Sequence, residues 1–151
     1  MAQFSFHKQE KDYTCGAASM KMALESCNIK KSEKQIVKLL RSGKSKGTWN
    51  KDFPIIAEKF KLNHLSMRNA AINDLKEYQK RGFTIIIGYF YPLEKFGHYA
   101  VLKKIDAKKI YLSDPYFGDK HSYALDYFKK IWKNDPKYDK EKRWFFAVKK
   151  R

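Results

Sequence analysis

Apolar residues recur at helical spacing through the first half of the chain, and the second half turns to runs of strand character. Residues 14–27, TCGAASMKMALESC, set Ala, Met and Leu three and four apart, the pattern of one buried helical face. Ser32 opens SEKQ, which has the form of a capping box. Its hydroxyl can accept an orphan N–H while the Gln35 side chain reaches back. Ile36, Val37, Leu39 and Leu40 then form an apolar stripe, and Gly43 is expected to end that helix. GKSKGT predicts a loop. A third helix is expected over about 50–60, with Pro54 in its first turn and Ile55, Ile56, Ala57 and Phe60 inward. A short strand near Leu62–Met67 and a helix near 72–81, stopped by Gly82, complete this half.

Phe83–Tyr91 is rich in β-branched and aromatic residues and predicts a strand. HYAVLKKI (98–105) and IYLSD (110–114) alternate in part, with a turn near Asp106–Lys109 between them, as in a β-hairpin. Ser122–Lys133 predicts a short helix and Arg143–Lys149 a closing strand. Helices first and antiparallel strands afterwards make an α+β domain. No repeat and no Pro/Ser/Gly linker divides the chain, so residues 1–151 are expected to form a single domain.

Composition narrows the picture. The chain has 151 residues, 43% hydrophobic and 16% aromatic, which suits a folded core and excludes general disorder. MAQFSFHKQEKDY has no secretory n- and h-regions, and TIIIGYFY is too short to span a bilayer. A cytoplasmic location, or export without a recognisable signal peptide, and no membrane insertion are therefore expected. Two cysteines in such a setting predict free thiols. The net charge of +17 raises nucleic acid as a partner, but most of it is Lys, spread along the chain among Asp and Glu. We read it as a solvated surface.

Candidate chemistry begins at QEKDYTCGAAS, Gln9 to Ser19. Cys15 stands where the first turn of a helix should begin, and a helix N-terminus with a nearby His favours thiolate. Gly16 would let a substrate backbone come close. His98, in FGHYAVL, lies at the entry of a predicted strand. Asp114 lies sixteen residues on, at the exit of the next, where antiparallel pairing can bring them together. Asp114 would then accept the Nδ1–H of His98 and fix its tautomer. Gln9 with the main-chain N–H of Cys15 would donate to a tetrahedral oxyanion. Each has a plainer reading: a small core thiol, an edge-strand His, an Asp-Pro turn, a surface Gln. The cysteines and the four histidines show no paired metal-ligand spacing, so neither metal nor cofactor is expected.

Taken together, these residues resemble the C39-type cysteine peptidases, the papain-like domains that cut leader peptides from bacteriocin precursors, and their stand-alone C39-like bacterial relatives. The resemblance rests on Gln9, the run from Asp12 to Ala18, GHYAVL from Gly97 to Leu102 and IYLSDP from Ile110 to Pro115. SYALDYFKKIW, with Phe128 and Trp132 four apart, and RWFFAVKK extend it to nearly the whole chain. It implies a papain-like fold, with Cys on the central helix and His and Asp on an antiparallel sheet. It also implies Cys15 as nucleophile, His98 as base, Asp114 as its orienting carboxylate and Gln9 as oxyanion donor, acting on a peptide or protein substrate through a thioester.

Two departures qualify the substrate. Bacteriocin-processing members are usually the front end of an ABC transporter, and no membrane segment is expected within residues 1–151; Ser19 and Met20 follow Ala18 where the family often has a second Cys. Cys27 reads as a buried helix residue. Two alternatives stay open: a papain-like acyl transferase or deamidase on a non-peptide or glutamine substrate, and a non-catalytic basic domain that binds nucleic acid. Cleft walls are expected in Gly43–Trp49, Tyr91–Phe96 and Tyr116–His121, with Tyr116 and Phe117 as wall residues.

Overall fold

The computed structural model describes residues 3–43, 47–137 and 140–151. Its elements are α1 (Cys15–Ser26), α2 (Glu33–Leu40), a 3₁₀ turn (Asn50–Asp52), α3 (Phe53–Lys59), β1 (Asn63–Met67) and α4 (Ile72–Lys80). There follow β2 (Thr84–Tyr91), β3 (Phe96–Ile105), β4 (Lys109–Asp114), β5 (Gly118–Ala124), α5 (Leu125–Ile131) and β6 (Phe145–Lys149). The strands form one six-stranded sheet in the order β1-β6-β2-β3-β4-β5, with every pair antiparallel. Helices first and an antiparallel sheet afterwards is the predicted α+β arrangement.

The sheet is covered on both faces. On one, Ile86, Val101, Phe146 and Val148 pack with Met20, Met22 and Leu24 of α1, Ile36 and Leu40 of α2, and Phe53 and Ile56 of α3. On the other, Ile85, Ile87, Phe145 and Ala147 meet Leu75 of α4 and Phe128 and Ile131 of α5. A strand buried on both faces has no polar side, which is why TIIIGYFY is a continuous apolar run and does not alternate. The helix α1 is apolar nearly all round for the same reason: eight of its residues, from Gly16 to Leu24, are buried.

Several boundaries differ from expectation. The capping box of α2 is present, with Gln35 N–H donating to Ser32 Oγ and Ser32 N–H to Gln35 Oε1. That helix ends at Arg41, which takes the left-handed conformation at φ 54°, and not at Gly43. Gly43 instead forms an isolated antiparallel bridge with Gly47. The middle of the predicted GKSKGT loop, 44–46, lies outside the described residues. In α3 Pro54 occupies the first turn as expected, but Ile55 faces solvent and Phe53 takes the core position. The largest difference follows Asp114. Residues 118–124 form an edge strand, so the predicted helix from Ser122 starts only at Leu125. Antiparallel pairing with β4, from Lys109–Ala124 to Asp114–Gly118, outweighs the helical reading of SYALDY. Both cysteines are free, and Cys27 is buried just past the end of α1. No described helix is long and apolar enough to cross a membrane.

Candidate active site

Cys15 is the first residue of α1 and is half-buried. Thr14 precedes it without capping the helix: its hydroxyl turns back to Lys11, accepting the Lys11 N–H at 3.0 Å and donating to the Lys11 carbonyl at 2.9 Å. No side chain therefore caps the first-turn N–H groups of α1. Gly16 does not serve substrate approach, as its place beside Cys15 had suggested. A Cβ there would lie 2.5 Å from Thr48 Oγ1, so Gly16 makes room for the Thr48 loop against the helix head.

His98 of β3 pairs across the strands with Tyr89 of β2, and Asp114 ends β4 beside a register shift. The three side chains meet. His98 Nε2 lies 2.6 Å from Asp114 Oδ1, and the Tyr89 hydroxyl donates to Oδ2 at 2.5 Å. The expected partner atom was Nδ1. The ring is turned the other way, which turns Nδ1 from Asp114, and Cys15, which lines the same cavity, is close enough to interact with His98. The Asp114 Oδ1 atom also accepts the N–H groups of Tyr116 (2.9 Å) and Phe117 (3.0 Å). The Asp-Pro turn and the carboxylate partner are thus the same residue in two roles.

Burial and charge set the protonation states. His98 is 3% exposed and Asp114 fully buried. Burial alone would depress the His98 imidazolium, but the bond to Asp114 and the interaction with Cys15 push it up to about 10. Burial would likewise raise Asp114. The hydrogen bond and charge of His98 and the Tyr89 hydroxyl outweigh it and hold the carboxyl below its usual range. Tyr89 is raised well above the phenol range, first by burial and then by the Asp114 charge, so it is a neutral donor. The edges and faces of Tyr89, Phe96, Tyr116 and Phe117 surround the imidazole at centroid distances of 5.3 to 5.8 Å.

Gln9 sits on the strap before α1, held by its N–H to the Pro115 carbonyl at 3.0 Å. Its carboxamide turns into its own loop. Nε2 donates to Lys11 O at 2.8 Å and Asp12 O at 3.2 Å, and Oε1 is buried without a partner among the described residues. The strap is clamped to α2 by Glu33. Both Glu33 carboxylate oxygens accept the Glu10 N–H at 3.1 Å, and Oε1 faces His7 Nε2 at 3.0 Å. His7, Glu10 and Glu33 have the donor atoms to hold a metal, but these contacts already pair them as a structural clamp. His64 pairs with Glu58, and His121 stacks on Phe117, so neither faces Cys15 in place of His98.

Cys15 and His98 open on a cavity of about 540 Å³. Its walls include Thr48 and Trp49 from the first predicted loop, Glu94 to Phe96 from the second, and Tyr116 from the third. Phe117 lies beneath, between His98 and His121, and is not a wall residue. One wall had no place in the expectation: Asn134, Asp135 and Lys137. The signal for it is a glycine in each neighbouring strand. A Cβ at Gly88 would lie 3.5 Å from Asn134, and one at Gly97 would lie 3.6 Å from Asp135, so this segment packs directly on the strands. Tyr89 was also missed, because within an apolar run a Tyr reads as core.

Comparisons with known proteins agree with this geometry. No curated protein matches the chain. Among solved structures, the peptidase domain of Streptococcus ComA, a bi-functional ABC transporter of a quorum-sensing pathway, superposes with a TM-score of 0.77. It is 15% identical over 99% of this chain and 100% of that one. A C39-like peptidase from Bacillus anthracis gives 0.80 at 13% identity, covering 100% and 96%. A double glycine motif protease from an AMS/PCAT transporter, solved with its leader peptide, gives 0.73 at 20% identity, covering 99% and 94%. These likenesses establish the papain-like C39 fold. The model of the Peptidase C39 family matches residues 3–135, and with the cysteine helix set against a His-bearing sheet, the chain belongs to the Peptidase C39 family.

Proposed function

We propose that this domain is a cysteine peptidase that hydrolyses a peptide bond through a thioester, with Cys15 as nucleophile, His98 as acid and base, Asp114 as the carboxylate behind it and Gln9 in the oxyanion site. The observation that supports this best is the order of contact at the head of α1: Cys15 beside His98, and His98 2.6 Å from a buried Asp114.

The chemistry follows from those positions. Cys15 gives its proton to His98, whose imidazolium the Asp114 charge favours. The thiolate attacks the carbonyl carbon of the scissile bond. The negative charge that forms on the carbonyl oxygen meets the uncapped main-chain N–H of Cys15. A Gln9 N–H joins it by leaving the longer of its two bonds, that to Asp12 O. Such bonds often tighten only around the reacting group. Imidazolium returns its proton to the leaving amine as the C–N bond breaks. Water, deprotonated by His98, then attacks the thioester and releases the acid and the thiol. An extended peptide suits a 540 Å³ cleft open at the surface. Leader peptides, such as the one bound by the double glycine motif protease of the AMS/PCAT transporter, are the first substrates to try.

An acyl-reactive probe in single turnover tests the assignment. Wild type should label at Cys15, Cys15→Ala not at all, and His98→Ala about a hundredfold more slowly. His64→Ala should label like wild type, since His64 is paired with Glu58. Full labelling of Cys15→Ala would end the proposal.

A further inference from the structure

The Tyr89 hydroxyl has no part in the steps above, yet it makes the only bond to Asp114 Oδ2 among the described residues. The other oxygen, Oδ1, is shared by His98 and the N–H groups of Tyr116 and Phe117. A carboxylate has one soft torsion, and in a dry site a free oxygen would pull the group round toward any donor. We propose that Tyr89 is a positioning residue of this site: its hydroxyl tethers Oδ2 so that Oδ1 stays turned to His98 Nε2.

The proposal rests on the reading of Cys15, His98 and Asp114 as a working site. The backbone supports the tether at its other end. Tyr89 and His98 are directly opposed on β2 and β3, so the tyrosine and the imidazole rise side by side from neighbouring strands toward one carboxylate. The ring of Tyr89 is fully buried and braced by Tyr123 and Phe128, which leaves the hydroxyl little freedom. Tyr123 of β5 points its own hydroxyl at that of Tyr89 at 3.4 Å. The other titratable groups around the pair are Cys15 at the head of α1, His121 of β5, and Tyr91 and Tyr116 at the rim. None of them supplies a bond to Oδ2 among the described residues.

Nitrogen-15 NMR of the His98 ring, titrated with pH, tests this on the full chain. In wild type the imidazolium should persist to about 10, with the neutral form protonated at Nε2. In Tyr89→Phe the loosened carboxylate should hold the imidazolium less well, and the proton affinity of His98 should fall roughly tenfold. Asp114→Asn should lower it further. A Tyr89→Phe chain that stays folded by its dispersed amide spectrum, yet titrates at or above the wild-type midpoint, overturns the proposal. Above wild type would mean that the hydroxyl only drains charge from Asp114. A second measurement needs no variant: the tethered Tyr89 hydroxyl proton should exchange slowly and show contacts to the His98 ring. Its absence also overturns the tether. A wild-type midpoint at the ordinary histidine value, unmoved by Cys15→Ala, would sink the underlying site reading instead.

Discussion

At the residue scale the deciding interactions are those of one buried carboxylate. Asp114 is the largest of the influences raising His98, and burial acts against it. Removing the charge in Asp114→Asn takes away the foremost influence opposing burial and leaves only that of Cys15, so the His98 midpoint should fall from about 10. The sign for stability follows. A pKa raised on folding stabilises the fold fully below the unfolded value, and this is lost as pH rises through the folded value. Wild type should therefore lose stability between about 6.5 and about 10, while in Asp114→Asn the loss should be smaller and end at a lower pH. Denaturant melts across that window check it. Cys15, His98 and Asp114 were legible in the sequence, because a thiol before a helix and a His and Asp at facing strand ends are positional signals. The ring nitrogen facing Asp114 was not, since ring orientation is decided by what packs around it.

Elements meet the site through a close approach that only tertiary structure reveals. Gly16 is needed because Thr48 occupies the space of its Cβ. Gly16→Ala should cost about 2 kcal/mol by overpacking, read from the shift in urea midpoint. Thr48→Gly in the same chain should restore part of it. An unchanged midpoint would show that the Thr48 loop gives way freely. The elements themselves were mostly legible: the Ser32 capping box, Pro54 in the first turn of α3 and Gly82 after α4 all have local causes. The edge strand β5 was not. Its residues are half-buried and mixed, and it is a strand because β4 offers it a ladder.

Across the whole molecule the charge is a repulsion spread over the surface. The cleft walls carry both signs, Asp12, Glu94 and Asp135 with Lys95 and Lys137, so the excess is not focused there. With +17 on 151 residues, stability should rise as salt screens the surface. The melting temperature should climb by several degrees between about 10 mM and about 200 mM salt. Exposed pairs such as Arg81–Glu77 would weaken, but contribute little. A flat or falling melting curve would mean that the lysines are already neutralised by pairing.

What the sequence determined by itself is the order of elements and the residue types at their ends. Helical and strand periods, caps and turns are local, and so the helix-then-sheet class and the positions of Cys15, His98 and Asp114 followed from them. Tertiary structure decided everything that depends on contact between distant segments. It chose the face of α3 that is buried, the second covered face of the sheet, the wall at 134–137 and the tether from Tyr89 to Asp114. It also gave Gly16 to Thr48. The reason is physical: a side chain's period tells which way it leaves its own backbone, while its partner is set by packing that no local pattern encodes.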